Sequence, residues 1–246
     1  MTDEFRPDAD RLAALAEFAA GAGHEINNPL ATIIGRAQQL LREEVDPTRR
    51  QSLAAIVSQA YRIRDMIGDV MAFARPPAPH RSVVDLAHLV RDAVAGLETD
   101  LHNLRCRILV ETPASLPIVG DAAQIAMVTA ELIRNAATAL QPQGGPISVT
   151  VSAGKASALL QVADAGCGFS EQQRAHAFDP FFSGRQAGRG LGFGLCKVWQ
   201  VVRNHDGELV IDSSPGGPTT VTVHWPLPAE GQVGACPAPA NAPHRL

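Results

Sequence analysis

His24 is followed at once by Glu25 and, four residues on, by Asn28 in the run His24-Glu25-Ile26-Asn27-Asn28-Pro29-Leu30. At an ordinary pKa of ~6.5 the imidazole is largely neutral at pH 7, so one ring nitrogen offers a lone pair to an electrophile. An adjacent carboxylate can orient that ring or take its second proton. Helical spacing places Ala22, Ile26 and Leu30 on one apolar stripe. His24 then projects off the stripe toward solvent, and Asn28, one turn on, shares its face. Pro29 inside the same stretch costs a helix ~3 kcal/mol, and a distortion there asks for a reason. A surface His beside Glu is ordinarily just solvated, so the group gains weight only in company.

That company lies downstream. Glu131 and Asn135 stand one helical turn apart in Glu131-Leu132-Ile133-Arg134-Asn135-Ala136. A carboxylate and an amide so placed can hold a hydrated Mg²⁺ together with a water or a phosphate. Asp164-Ala165-Gly166-Cys167-Gly168 offers a carboxylate and then backbone bare of side chains, which suits a purine amino group with its ring laid on glycine. After Phe178-Asp179-Pro180-Phe181-Phe182-Ser183 comes Gly188-Arg189-Gly190-Leu191-Gly192-Phe193-Gly194-Leu195. Its glycines present successive N–H groups ahead of a helix, the arrangement that cradles phosphates. Each signal alone is weak, and in this order and spacing they are strong together. A dinucleotide fingerprint is excluded, because it follows the first strand of a βαβ unit and wants an acidic residue ~20 positions on.

Two long helices must carry the first group. Apolar residues recur at three- and four-residue steps over 11–44 (Leu12, Leu15, Ala19, Ala22, Ile26, Leu30, Ile33, Ala37, Leu40), and Asp46-Pro47 stops them. Near-heptad stepping resumes at Leu53, Ile56, Ala60, Ile63, Ile67, Val70 and Ala74 until prolines 76, 77 and 79. Two amphipathic arms cover little surface, so a second copy completing a four-helix bundle is expected. The proline stretch reads as a hinge and domain boundary. Beyond it, strands are expected at 83–86, 107–112, 147–152, 158–163, 209–212 and 219–225, with helices at 86–100, 121–140 and 195–204. That is an α/β sandwich with a mixed sheet. Residues 229–246, rich in Ala, Pro and Gly, read as a disordered tail.

Composition sets the outer bounds. The 246 residues are 46% hydrophobic and 19% charged with net charge −4, a globular chain with no polyanion-binding balance, so nucleic acid is not an expected partner. No apolar run approaches the ~18 residues of a membrane span, and the acidic N-terminus is unlike a signal peptide, so a cytoplasmic chain without a membrane segment is expected. The four cysteines form no CxxC pair and read as incidental thiols.

With these motifs in order, the chain resembles the transmitter core of a two-component sensor histidine kinase. The likeness covers about residues 10–228. It implies a dimerisation and phosphotransfer hairpin over 8–76, then over 80–228 a Bergerat-type ATP-binding domain shared with gyrase, mismatch-repair ATPases and heat-shock chaperone ATPases. The stretch 24–30 resembles the family's H box in its nitrogen-sensor form, 131–140 its N box, 164–168 its first glycine box, 178–183 its F box and 188–195 its second glycine box. The resemblance implies that His24 is phosphorylated, Glu25 acts as general base, and Asn28 orients a water that dephosphorylates the partner. It implies that Asn135 ligates Mg²⁺ and Asp164 binds adenine. Gly166, Gly168, Phe181, Arg185, Gly188, Gly190, Leu191, Gly192 and Gly194 complete the nucleotide set. ATP and Mg²⁺ are the implied cofactors, and a homodimer and a response-regulator receiver domain the implied partners. No receiver's acidic pair is evident in this chain, and with only about twenty residues ahead of His24 the sensor is expected to be absent, on another chain, or cut away from this sequence.

Three positions depart from the family pattern. Glu131 stands where many kinases have Asn, and Glu there activates water in the hydrolytic relatives. Ala165 replaces the usual Asn after Asp164. Gly194 adds a fourth glycine and Phe193 replaces a common Leu. The expected reading is an ATP-dependent protein-histidine kinase that passes its phosphoryl group to a partner's aspartate. Its rivals are a plain ATPase switch using Glu131, which the hairpin argues against, and a phosphotransfer scaffold with a degenerate nucleotide site, which the intact Asp164 and Asn135 argue against.

Overall fold

The computed structural model describes residues 9–74, 76–179, 182 and 192–228, with the helical side chains of residues 9–20, 22, 24 and 74 outside that description. Two helices open the chain, α1 (Ala9–Glu43) and α2 (Pro47–Ala74). Their turn is built by local chemistry. The Arg49 N–H donates to Asp46 Oδ1 at 2.9 Å, so Asp46 caps α2 with Pro47 at its first position. Arg50 Nη1 donates to the Leu41 and Glu44 carbonyls at 3.0 and 2.7 Å, satisfying the end of α1. Between the arms Leu30, Ile34 and Ala60 are buried with Ile26 and Tyr61 against them. The expected single stripe is therefore divided. Leu30 and Ala37 are buried, whereas Ile33, Leu40, Ile56 and Ile63 remain 46, 58, 47 and 42% exposed.

Contacts divide the chain into two compact units. One holds the chain through Pro77 with Phe178–Phe193, and the other holds Ala78–Ala177 and the chain from Gly194 onward. In the first, the ring of Phe193 meets that of Phe73 edge-on, centroids 5.8 Å apart.

The second unit is the sandwich. Strand β1 (Ser82–Asp85) leads into α3 (Leu86–Ala95) and α4 (Glu98–Asn103), followed by β2 (Cys106–Glu111), β3 (Pro117–Gly120) and α5 (Ala122–Ala139). Then come β4 (Gly145–Ala153), β5 (Ser157–Asp164), α6 (Glu171–Ala175), α7 (Gly194–Asn204), β6 (Glu208–Ser213) and β7 (Thr219–Pro226). The main sheet runs β2-β4-β5-β7-β6, with β2 parallel to β4 and the other pairs antiparallel, and β1 pairs β3 separately. Alternate residues of β4 (Ile147, Val149, Val151), β5 (Ala158, Leu160, Val162) and β7 (Val221, Val223, Trp225) are buried. Ile125, Val128, Leu132, Ile133, Ala136 and Ala137 of α5 join that core. The mixed α/β reading holds.

Two details differ from expectation. The helix expected over 86–100 breaks at Gly96 and Leu97, a turn that lets both Leu97 and Leu101 bury. Strand β3 and the single turn α6 were not evident from pattern, since β3 has four residues and begins with proline and α6 only five residues. The tail 229–246 lies outside the described residues.

Candidate active site

Asp164 is the last residue of β5 and continues the inward parity of Ala158, Leu160 and Val162, which is why a carboxylate ends up 8% exposed on the core face. Burial pushes its carboxyl above the ordinary range, against a lowering hydrogen bond from the Gly166 N–H at 2.9 Å. Its register partner is the buried Thr219 of β7, whose Oγ1 lies 2.8 Å from Oγ of the equally buried Ser213 on β6. Ser213 Oγ also accepts the Phe169 N–H at 3.0 Å, holding the loop that follows Asp164. Sequence reasoning passed over Thr219 and Ser213, though a Thr at the inward parity of Thr219-Thr220-Val221-Thr222-Val223 was a usable signal.

The loop itself admits only glycine at two places. A Cβ on Gly166 would stand 2.6 Å from the Ala139 carbonyl, and the Cys167 N–H donates to that same oxygen at 3.3 Å. Gly168 has φ +63°, and a Cβ there would lie 1.9 Å from the Ser214 oxygen. The loop is thereby fastened to the end of α5, one turn beyond Asn135.

Helix α5 is placed by Asp121, whose Oδ1 accepts the Ala123 and Gln124 N–H groups at 2.9 and 3.1 Å. Burial acts to raise the Asp121 carboxyl, but N–H donors from His80, Gln124 and Ala123 outweigh it and hold the group below the usual carboxylate range. Ten residues on, Glu131 Oε1 lies 3.4 Å from Arg134 Nη1 and 3.9 Å from Lys197 Nζ of α7. A Cβ on Gly194, at the start of α7, would come within 3.0 Å of Glu131 Oε2 and 3.6 Å of the Asn135 amide atoms. The fourth glycine thus lets the α7 N-terminus approach Glu131 and Asn135 closely. Amide and carboxylate oxygens are hard donors of the kind Mg²⁺ takes. Among the described residues no group of three His, Cys, Asp or Glu is placed to hold a metal ion. The site fits a metal–phosphate ligand.

On the hairpin, Glu25 and Asn28 are exposed on α1. His24 lies between them and Gly23, and its side chain is outside the described residues, so the expectation that it faces solvent is not addressed. A Cβ on Gly23 would stand 2.5 Å from Met71 Sδ, so glycine permits close approach of the two helices beside His24. Pro29 leaves the Glu25 carbonyl without its helical donor. Gly192 has φ +74°, and a Cβ there would meet the Phe182 backbone at 2.1 Å. Phe181, Arg185, Gly188, Gly190 and Leu191 lie outside the described residues.

A helical hairpin bearing a His-Glu-x-x-Asn group is followed along the chain by an α/β sandwich with a strand-end carboxylate and an Asn/Glu helix. The profile described as histidine kinase-, DNA gyrase B- and HSP90-like ATPase matches residues 120–229, and that of the His Kinase A (phospho-acceptor) domain matches residues 14–79. The chain thus carries the two domains that make up a two-component histidine kinase transmitter core. It is 29% identical over 224 residues to the signal transduction histidine-protein kinase AtoS of Escherichia coli, covering 91% of this chain and 36% of AtoS. It is 27% identical to sporulation kinase C of Bacillus subtilis, covering 94% of this chain and 53% of that one. The chain therefore spans between a third and about half of the length of these relatives. In fold it resembles full-length ShkA, solved in complex with AMPPNP (TM-score 0.74, 22% identity, 85% of this chain and 45% of that chain). It also resembles the Acinetobacter baumannii histidine kinase AdeS (TM-score 0.59, 18% identity, 83% and 98%).

Proposed function

We propose that the chain catalyses transfer of the γ-phosphoryl group of ATP to His24 and onward to an aspartate of a response-regulator receiver. The observation that carries the nucleotide half is Asp164, a carboxylate held on the core face beside a loop that only glycine can build. It accepts the adenine amino group while Gly166 and Gly168 let the ring approach the backbone. Asn135, with Glu131 beside it, would hold Mg²⁺, which when bound would supply neutralisation of the charge that develops on the transferred phosphoryl group. Phe181, Arg185, Gly188, Gly190, Leu191, Gly192 and Gly194 supply the remaining nucleotide contacts.

In the first step a His24 ring nitrogen forms the N–P bond as the β–γ P–O bond breaks and ADP leaves. Glu25, next in the chain, orients the ring and takes the proton from its other nitrogen. Positioning supplies most of the acceleration, and the prolines at 76, 77 and 79 give the nucleotide domain a hinge for delivering the γ-phosphate. Asn28 holds a water in line for dephosphorylating the receiver. Among the described residues, large apolar side chains left exposed on the two helices are spaced by seven within each (Ile33 and Leu40, Ile56 and Ile63), which supports a homodimer completed as a four-helix bundle. Among the described residues no helix is long and apolar enough to cross a membrane.

The test is incubation of the chain with γ-labelled ATP and Mg²⁺. Acid-labile, base-stable label that is absent from His24→Gln supports the proposal. Phosphate release without label on His24 would instead mark an ATPase using Glu131.

A further inference from the structure

Where the chain leaves the proline stretch, two consecutive residues grip opposite ends of the helices that build the nucleotide site. The His80 N–H donates to Asp121 Oδ2 at 2.9 Å, the carboxylate whose other oxygen caps α5. Arg81 spans the far end of α7, with Nη1 on Asp206 Oδ2 at 2.7 Å and Nη2 on the Asn204 carbonyl. The two ends are joined beneath by His205, which is 1% exposed. Its Nε2 accepts the Asp121 N–H at 3.0 Å and its Nδ1 sits 2.8 Å from the Val201 carbonyl, so the ring is the neutral Nδ1–H tautomer. Gly120 packs against the same ring, and a Cβ there would stand 3.2 Å from it.

These contacts lie far from the chemistry along both helices. From Asp121 to Glu131 is ten residues and from His205 back to Gly194 is eleven, each about 15 Å of helix. At that distance Gly194 and Glu131 meet again, so α5 and α7 form an antiparallel pair pinned at both ends. A shift of the strap at 80–81 therefore reaches Glu131, Asn135 and Gly194 as movement of rigid rods.

Two features separate this strap from simple glue. The Arg81–Asp206 pair is exposed, with side chains 41% and 73% accessible, where an ion pair adds little to stability. Asp206, at φ +57°, is the left-handed residue that closes the C-terminus of α7, its own N–H on the Arg203 carbonyl at 3.0 Å and the Gly207 N–H on the Val202 carbonyl at 2.9 Å, a position glycine fills equally well. Its carboxylate is not needed to end the helix, and its pairing with Arg81 points to a use other than folding.

We propose that Arg81 and Asp206 are positioning residues for phosphoryl transfer, strapping the hinge exit to α5 and α7 so that hinge movement sets the register of the nucleotide site. The inference rests on the kinase reading above. Its test uses the full chain with Arg81→Gln, Asp206→Gly, and the exchanged pair Arg81→Asp with Asp206→Arg. Rates of His24 labelling against ATP concentration, calorimetric ATP affinity, thermal midpoint and amide exchange over residues 194–197 are measured together. Each single variant should lower kcat at least threefold and speed exchange at 194–197 severalfold. ATP affinity should stay within twofold, the midpoint should not fall, and the exchanged pair should recover part of both losses. Unchanged or raised kcat overturns the proposal, as does a lowered kcat that travels with lost affinity or a lowered midpoint, the mark of a folding role. If the unaltered chain binds ATP and leaves His24 unlabelled, the kinase reading has failed. The exchange measurement then decides the strap alone, and exchange equal to that of the unaltered chain overturns it.

Discussion

Replacing Asp164 with Asn tests the proposed nucleotide site at a buried carboxylate. The amide keeps an oxygen in place for the Gly166 N–H, now 2.9 Å from Oδ1, so the loop geometry should survive. What disappears is the charge proposed to accept an adenine amino hydrogen. A hydrogen bond to a charged group is worth roughly 1.5 to 3 kcal/mol, which corresponds to a loss of ATP affinity on the order of ten- to a hundredfold. The amide can also turn to donate, so preference for ATP over GTP should shrink. Stability should move the other way. Burial raises the Asp164 carboxyl, so its folded pKa lies above the unfolded value of ~3.9. Such a group favours folding below the unfolded value, and that contribution is lost as pH rises through the folded pKa, leaving a buried charge at neutral pH. Asn carries no charge, and the nucleotide-free variant should melt at or above the temperature of the unaltered chain. ATP affinity of the unaltered chain should also decline as pH falls through the raised pKa, while the Asn variant stays flat. Calorimetric titration with ATP and GTP and thermal unfolding without nucleotide provide both readings. Unchanged ATP affinity would remove Asp164 from the adenine site, and a markedly lowered melting temperature would show that its role is structural.

Ile63→Glu places a carboxylate on the apolar face that the hairpin leaves 42% exposed at this position, and should convert a dimer to monomer in sedimentation equilibrium; a dimer of unchanged affinity would put the interface elsewhere. Glu25→Gln should slow His24 phosphorylation by about 10² to 10⁴, the usual worth of a general base. Asn28→Ala should spare that step and impair receiver dephosphorylation, and equal loss of both activities in the two variants would show one structural unit. Asp121→Ala should cost roughly 1 kcal/mol through the lost α5 cap. Because the Asp121 carboxyl is held low by N–H donors, its contribution is present above the unfolded value of ~3.9 and lost as pH falls through the lower folded pKa. The variant should therefore show a shallower loss of stability below about pH 4 in acid unfolding, and an identical acid limb would contradict the assigned network.

The elements that local chemistry can specify were legible in the chain. Asp46-Pro47 ends one arm and starts the next, Asp121 and Leu140 bracket α5, and Gly194 opens α7, all as capping and periodicity require. The His24 group, Glu131 with Asn135, and the glycine runs were likewise readable, because each depends on spacing within one or two turns or a single loop. Pattern failed where selection acts across the chain. The apolar stripe of the hairpin looked single, and only packing of α1 on α2 divided it into Leu30, Ile34 and Ala60 within and Ile33, Leu40, Ile56 and Ile63 without. Thr219 and Ser213 meet beside Asp164 through strand register. Arg81 finds Asp206 across 125 positions of sequence. A helix period or a cap involves residues within a few positions, whose geometry the backbone alone determines. Which distant side chains then share a buried floor or a strap depends on how the sheet orders its strands, and that order follows from the burial of the whole core at once.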